Sequence, residues 1–137
     1  MSVTYSVVMR KNPAKPAEAG KFYALAQSSG TMDFNALCKD VKARCTVTRA
    51  DIAGVVEGVL DSMIMGLEGG KIVRLGNFGS FQLGVNGKGA ATEKEFNSTL
   101  IKGTRIAFRP GPLLIEMQNN LGYSMVPKKV VKVTTNV

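Results

Sequence analysis

The residues of this chain whose type and spacing offer chemistry are cations: Arg74, Lys88, Lys94, Lys102, Arg105 and Arg109. Arg74 alternates with Val73 and Leu75, and Arg105 and Arg109 oppose Ile106 and Phe108 in parity. On strands, such alternation points the arginines away from the apolar face. Cations fixed on one surface can neutralise the regularly spaced charges of a polyanion, with an affinity that falls as salt rises. The plainer reading of the same side chains is a solvated face that keeps the protein soluble. Lys128, Lys129 and Lys132 near the carboxyl terminus could add nonspecific attraction to either arrangement.

The charge is regional. The 137 residues hold 18 Lys or Arg and 10 Asp or Glu, for a net +8. Residues 1–30 carry +3, residues 31–70 carry −2, and residues 71–137 carry +7. A basic second half joined to a near-neutral middle suggests a polyanionic partner for that half. Histidine is absent, which removes the commonest general base near neutral pH, the Ser-His and Cys-His nucleophile pairs and His-containing metal sites. The acids Asp51, Glu57 and Asp61 fall on the polar side of a helical pattern, where solvated charge is the ordinary explanation. Gly84-Val85-Asn86-Gly87-Lys88-Gly89 is glycine-rich but precedes no helix, so it reads as a flexible arm and not a nucleotide loop. No enzyme, metal, cofactor or small-molecule substrate is expected.

Cys38 and Cys45 are too few for a disulfide framework, and a reducing compartment is the simpler reading. The amino terminus alternates polar and apolar residues and lacks a basic segment ahead of an apolar run, so no signal peptide is expected. No stretch approaches the roughly 20 apolar residues that cross a bilayer. A cytoplasmic protein without a membrane partner is the expectation.

Several elements must position the cations. Residues 3–10 and 21–28 read as strands, separated by Asn12-Pro13-Ala14-Lys15-Pro16, where each Pro lacks a ladder donor. Asp33 is a candidate N-cap for a first helix, whose stripe of Phe34, Leu37, Cys38, Val41 and Cys45 predicts that both cysteines pack in the core. Thr48-Arg49-Ala50-Asp51 resembles a capping box, and Ile52, Val55, Val56, Val59, Leu60, Met63 and Leu67 then hold a helical stripe. Gly54 and Gly58 sit on neighbouring turns, where they could let another helix come close. The period then switches to two. Residues 71–75, 80–85 and 104–108 predict strands, residues 86–104 an irregular arm, and Pro112 the start of a short helix through Asn119. Phe78 and Phe81 are expected in the core. The tail from Val126 is basic and β-prone, and either pairs with the amino-terminal strand or stays loose.

This order of elements resembles the HU/IHF family of bacterial histone-like proteins. The likeness rests on Leu75-Gly76-Asn77-Phe78-Gly79-Ser80-Phe81, similar to the family's Gly-Phe-Gly-Thr/Ser-Phe hairpin, and on Phe108-Arg109-Pro110-Gly111-Pro112-Leu113-Leu114, similar to its closing strand-to-helix segment. Thr48 lies at the matching distance before the hairpin. The longer amino terminus and Thr92-Glu93-Lys94-Glu95-Phe96 resemble the elongated HU-related branch of Bacteroides-type bacteria.

The resemblance implies an α+β, HU/IHF-like fold. Its parts are two N-proximal helices, a three-stranded antiparallel sheet with an arm at 86–104, and a short C-terminal helix. Residues 31–121 form this domain, residues 1–30 a β extension and residues 122–137 a basic tail. It implies an intertwined homodimer whose saddle and arms hold double-stranded DNA through the minor groove, as in nucleoid-associated proteins that condense DNA without sequence preference. Two amphipathic helices and a small sheet also leave uncovered apolar faces in a monomer, which a twofold partner can bury. The alternative is an HU-fold scaffold for protein–protein contacts with weak or no DNA binding. One departure stands out: no Pro occurs between Gly84 and Phe108, so the Arg-Asn-Pro wedge of DNA-kinking arms has no counterpart. Thr92-Glu93-Lys94-Glu95 instead reads as a capping box opening a helical turn, with Glu93 and Glu95 repelling phosphate locally.

Overall fold

Alternation of polar and apolar residues along the amino terminus produces the first strand, β1 (Ser2–Arg10), and after the proline-containing turns the second, β2 (Lys21–Ala26). The computed structural model describes residues 1–128. Within them the chain divides into two compact units: residues 34–119, and residues 1–33 with the segment from Asn120 onward.

In the unit containing the amino terminus, β1 is the central strand. It pairs antiparallel with β2 (Val8 opposite Tyr23, Arg10 opposite Lys21) and parallel with β6 (Gly122–Met125, Val3 opposite Tyr123). The pairing lies at 122–125, the first residues of the 122–137 tail and just ahead of the β-prone stretch from Val126 for which the sequence left it open; the Val126 amide also donates to the Tyr5 carbonyl at 2.8 Å. Lys129 and Lys132 fall outside the described residues. Ser6 is 1% exposed, and Gln27 Nε2 donates to its hydroxyl at 2.8 Å, so the buried oxygen is satisfied.

The other unit opens with α1 (Phe34–Lys42), shorter than the apolar stripe predicts. Its end tightens: the amides of Arg44 and Cys45 reach the carbonyls of Val41 and Lys42 three residues back. Cys38 is therefore buried at 2% exposure, whereas Cys45 lies past the helix and is exposed. The expectation that both cysteines pack in the core holds for Cys38 alone.

Helix α2 (Arg49–Glu68) begins at the Thr48 cap, whose hydroxyl accepts from the Asp51 amide at 3.2 Å. Asp51 Oδ2 accepts from that same hydroxyl at 2.6 Å, so the acid closes on the Thr side chain. The helix stops where Gly70 takes a left-handed φ of 75°; its amide reaches the Leu67 carbonyl, and the Lys71 amide reaches that of Gly66. This pair of bonds is the Schellman arrangement, and a Cβ-bearing residue is strained there.

Three antiparallel strands follow in the order β3-β4-β5: β3 (Val73–Leu75), β4 (Gly79–Gly87) and β5 (Ile101–Pro110). Both long strands run further than the sequence predicts, so residues 88–100, and not 86–104, form the segment joining them. The expected capping box appears only as a turn: the Glu95 amide donates to the Thr92 hydroxyl at 3.3 Å and no α-helix follows. A 3-10 turn at Ser98–Leu100 comes next, capped by Asn97. Helix α3 (Pro112–Asn119) closes the unit. Gly111 packs so tightly on the β3–β4 turn that a Cβ there would lie 2.2 Å from the Asn77 carbonyl oxygen.

Apolar side chains of this sheet share one face. Val73, Phe81 and Phe108 are paired across the three strands, and the Phe81 and Phe108 ring centroids lie 4.8 Å apart. Phe78 touches this cluster, 6.1 Å from Phe108, yet is 43% exposed, contrary to a core assignment within one chain. α2 packs on β3: a Cβ at Gly66 would meet Val73 Cγ2 at 3.0 Å. Even so, Cys38 and Ile52 are the buried apolar side chains among the described residues.

Candidate nucleic-acid interface

The opposite face of the β3-β4-β5 sheet carries the arginines. In register, Arg74 stands opposite Ser80, and Ser80 stands opposite Arg109, so the two guanidinium stems flank one small hydroxyl residue. Further along, Gln82 is opposite Ala107, Gly84 opposite Arg105, and Asn86 opposite Gly103. Every residue on this face is Arg, Ser, Gln, Ala, Asn or Gly. It holds no carboxylate, and the small residues Ser80, Gly84 and Ala107 stand among the arginines.

Strand geometry sets the spacing. Arg74 and Arg109 are two strands apart, about 10 Å, and Arg105 lies four residues along β5 from Arg109, about 13 Å. Arg105 is held in place: its Nη1 donates to Asn86 Oδ1 at 2.8 Å. Its stem lies over Gly84, where a Cβ would come within 3.0 Å of Nε. Near the hairpin turn, Arg74, Asn77, Ser80, Arg109 and Pro112 line a concavity of about 390 Å³.

The six sequence-assigned cations thus separate into three groups. Arg74, Arg105 and Arg109 share the polar face of the sheet. Lys88 and Lys102 lie at the far end of the hairpin, where the Lys88 amide donates to the Leu100 carbonyl at 3.0 Å. The register slips there, and Lys102 has no residue paired opposite it, so strand alternation does not fix its face. Lys94 stands apart in the Thr92–Phe96 turn, between Glu93 and Glu95. The ion pairs among the described residues are Lys15–Glu18 and Arg44–Asp40, and none of the six cations is engaged in them.

Ser80 and Asn86 escaped the sequence reading. Ser80 separates Arg74 from Arg109, and Asn86 orients Arg105. Their parity in β4, out of phase with Phe81, Leu83 and Val85, was the available signal. Among the described residues no helix is long and apolar enough to cross a membrane, and no group of three or more His, Cys, Asp or Glu could hold a metal ion.

Comparison with known proteins places this geometry. The chain is similar to a solved structure titled "Crystal structure of a Putative bacterial DNA binding protein" from Bacteroides vulgatus ATCC 8482, with a TM-score of 0.67 at 13% identity. The likeness covers 96% of this chain and 50% of that one, so this chain spans about half its length. At that identity the similarity is one of fold. Curated proteins give no match. The HU-HIG family, described as an HU domain fused to wHTH, Ig, or glycine-rich motif, matches residues 1–123. That match covers nine-tenths of the chain, which therefore belongs to the HU-HIG family.

Proposed function

We propose that this protein is an architectural, nucleoid-associated DNA-binding protein that grips double-stranded DNA without sequence preference, as a homodimer, in the bacterial cytoplasm. The observation that carries this reading is the carboxylate-free face on which Arg74, Arg105 and Arg109 stand in register. A rigid sheet holds these cations at spacings of about 10 Å and 13 Å. They supply charge along the path of a phosphate backbone, and phosphate contact with groove shape is the mode of recognition assigned to them. Lys88 and Lys102 are assigned additional phosphate contacts at the base of the arm, and Lys94 one within it, against the local repulsion of Glu93 and Glu95. The reading calls for no catalytic group and no cofactor.

Pairing of two copies is supported by what α2 leaves uncovered. Val55 is 66% exposed, Ile64 53% and Met65 71%, a large apolar area for a soluble monomer. Val55, Gly58, Val59, Met63 and Val73 line a groove of about 440 Å³, and a Cβ at Gly54 or Gly58 would meet nothing within 4 Å. The close approach that these glycines permit is therefore unused within one chain, and the helix of a second copy fits it.

Titration of binding to random duplex tests the reading. Affinity should fall about 10³-fold or more between 50 and 200 mM salt. An Arg74→Ala/Arg105→Ala/Arg109→Ala variant should remain dimeric and lose affinity equally on unrelated sequences. A scaffold for protein partners is the second reading, favoured by the missing proline wedge; absent or salt-insensitive duplex binding would decide for it.

A further inference from the structure

The β1–β2 hairpin ends in a like-charged cross-strand pair. Arg10, the last residue of β1, is paired directly across from Lys21, the first of β2. Opposed residues of an antiparallel pair hold their Cβ atoms about 5 Å apart, where like charges destabilise the ladder. Lys11 adds a third cation. Gly20 makes this crowding possible: a Cβ there would meet Met9 Cγ at 2.9 Å, the Arg10 carbonyl oxygen at 3.2 Å and Lys11 Cγ at 3.2 Å.

The connection between the strands is ordered. Asn12 Oδ1 accepts from the Ala14 amide at 3.0 Å, and successive turns close from Lys15 to Asn12 and from Glu18 to Lys15. Glu18 is the nearby acid, and its carboxylate is 3.4 Å from Lys15 Nζ. Two adjoining concavities lie at this end, one of about 300 Å³ lined by Arg10, Lys11, Asn12 and Tyr23, the other of about 110 Å³ shared by Arg10, Glu18, Lys21 and Tyr23. Tyr23 stands on the same face as Arg10 and Lys21 and is 50% exposed, with a hydroxyl able to donate.

We propose that this end of the β1–β2 hairpin, formed by Arg10, Lys11, Lys21 and Tyr23, is a second phosphate-backbone contact for duplex DNA. A phosphate bridging Arg10 and Lys21 turns a repulsive cross-strand pair into a binding site. The inference rests on the DNA-binding reading of residues 34–119, which supplies the same polyanion: two cationic surfaces on one chain gain effective concentration from one ligand. It assigns the amino-terminal unit a share in the grip.

The test is a salt titration of a random duplex with full-length protein. The wild type is compared with Arg10→Ala/Lys21→Ala, Lys21→Glu and the triple arginine variant of the sheet. Loss of two phosphate contacts should lower the slope of log K against log salt by about 2 for each protomer engaged. If the lines converge near 1 M salt, the affinity lost at 0.1 M is roughly 60-fold. Relief of the repulsion should leave the melting temperature of Arg10→Ala/Lys21→Ala unchanged or higher. Lys21→Glu, which pairs with Arg10, should be more stable still and bind least.

A full wild-type slope in the double variant overturns this inference while the sheet-face reading stands, provided that the triple variant has lost affinity. Failure of the wild type to bind duplex at low salt overturns both. A patch whose substitution weakens binding to phosphatidylserine vesicles but not to duplex belongs to a membrane surface, and overturns this inference alone.

Discussion

Arg105 and Asn86 are joined across the β4–β5 hairpin, Nη1 donating to Oδ1 at 2.8 Å, while the arginine stem crosses Gly84. The bond leaves the guanidinium with further donors and restricts its rotamers, so less freedom is lost when it meets a phosphate. Asn86→Ala should therefore weaken duplex binding about 3- to 10-fold, corresponding to roughly 1 kcal/mol, the worth of one such bond. The slope against salt should stay as in wild type, because no charge is removed. Fluorescence anisotropy over a range of salt checks both parts.

Ser80 lies between Arg74 and Arg109 in the paired register. Ser80→Glu places a carboxylate where a phosphate is expected and gives each arginine an internal partner. The variant should fold with wild-type or slightly higher stability and lose at least tenfold in DNA affinity. Unchanged affinity by gel shift would show that the duplex does not use this row.

Glycines of this chain divide by what surrounds them. At Gly79 a Cβ would lie 2.6 Å from the Arg109 carbonyl oxygen and 2.6 Å from the Phe108 ring, so Gly79→Ala should cost about 2–3 kcal/mol and lower the melting temperature by several degrees. Gly58 faces open space in one chain. In an isolated monomer Gly58→Ala should stabilise by about 1 kcal/mol through helix propensity. In a dimer packed on that groove it should destabilise, and Gly58→Leu more so. Thermal melts of the variants distinguish the two cases.

Dimerisation has a separate signature. When folding and pairing are linked, the melting temperature rises with protein concentration. Calorimetry across a hundredfold range should show this rise, and Val55→Asp, in the exposed groove of α2, should abolish it. A concentration-independent transition would rule out the paired state.

Capping of α2 is local and its cost is predictable. Thr48→Ala removes the acceptor for the Asp51 amide and should destabilise by about 1 kcal/mol without altering the salt dependence of DNA binding. Chemical denaturation reads the first effect and duplex titration the second.

Much of this protein was legible in its residues because the signals are local. The Thr48 cap, the stripe of α2, the Gly76–Gly79 turn and the alternation around Arg74, Arg105 and Arg109 depend on neighbours within a few positions. The sequence reading therefore found the element order through α3 and the family resemblance, and missed β6. It overextended α1 to Cys45, because an apolar stripe does not reveal where a helix tightens and stops. It shortened β4 and β5, because glycine and polar residues such as Gly84, Asn86 and Gly103 look like loop until a partner strand satisfies their amides.

Register belongs to tertiary structure. Alternation said that Arg74, Arg105 and Arg109 point away from apolar neighbours, but only pairing across β3, β4 and β5 put Ser80 between two of them and Asn86 beside the third. The same holds for Arg10 and Lys21, eleven positions apart and opposed only once the hairpin closes. Side-chain type and short-range period are written in the chain, whereas which residues face each other across strands is settled by long-range hydrogen bonding that no short window of sequence contains.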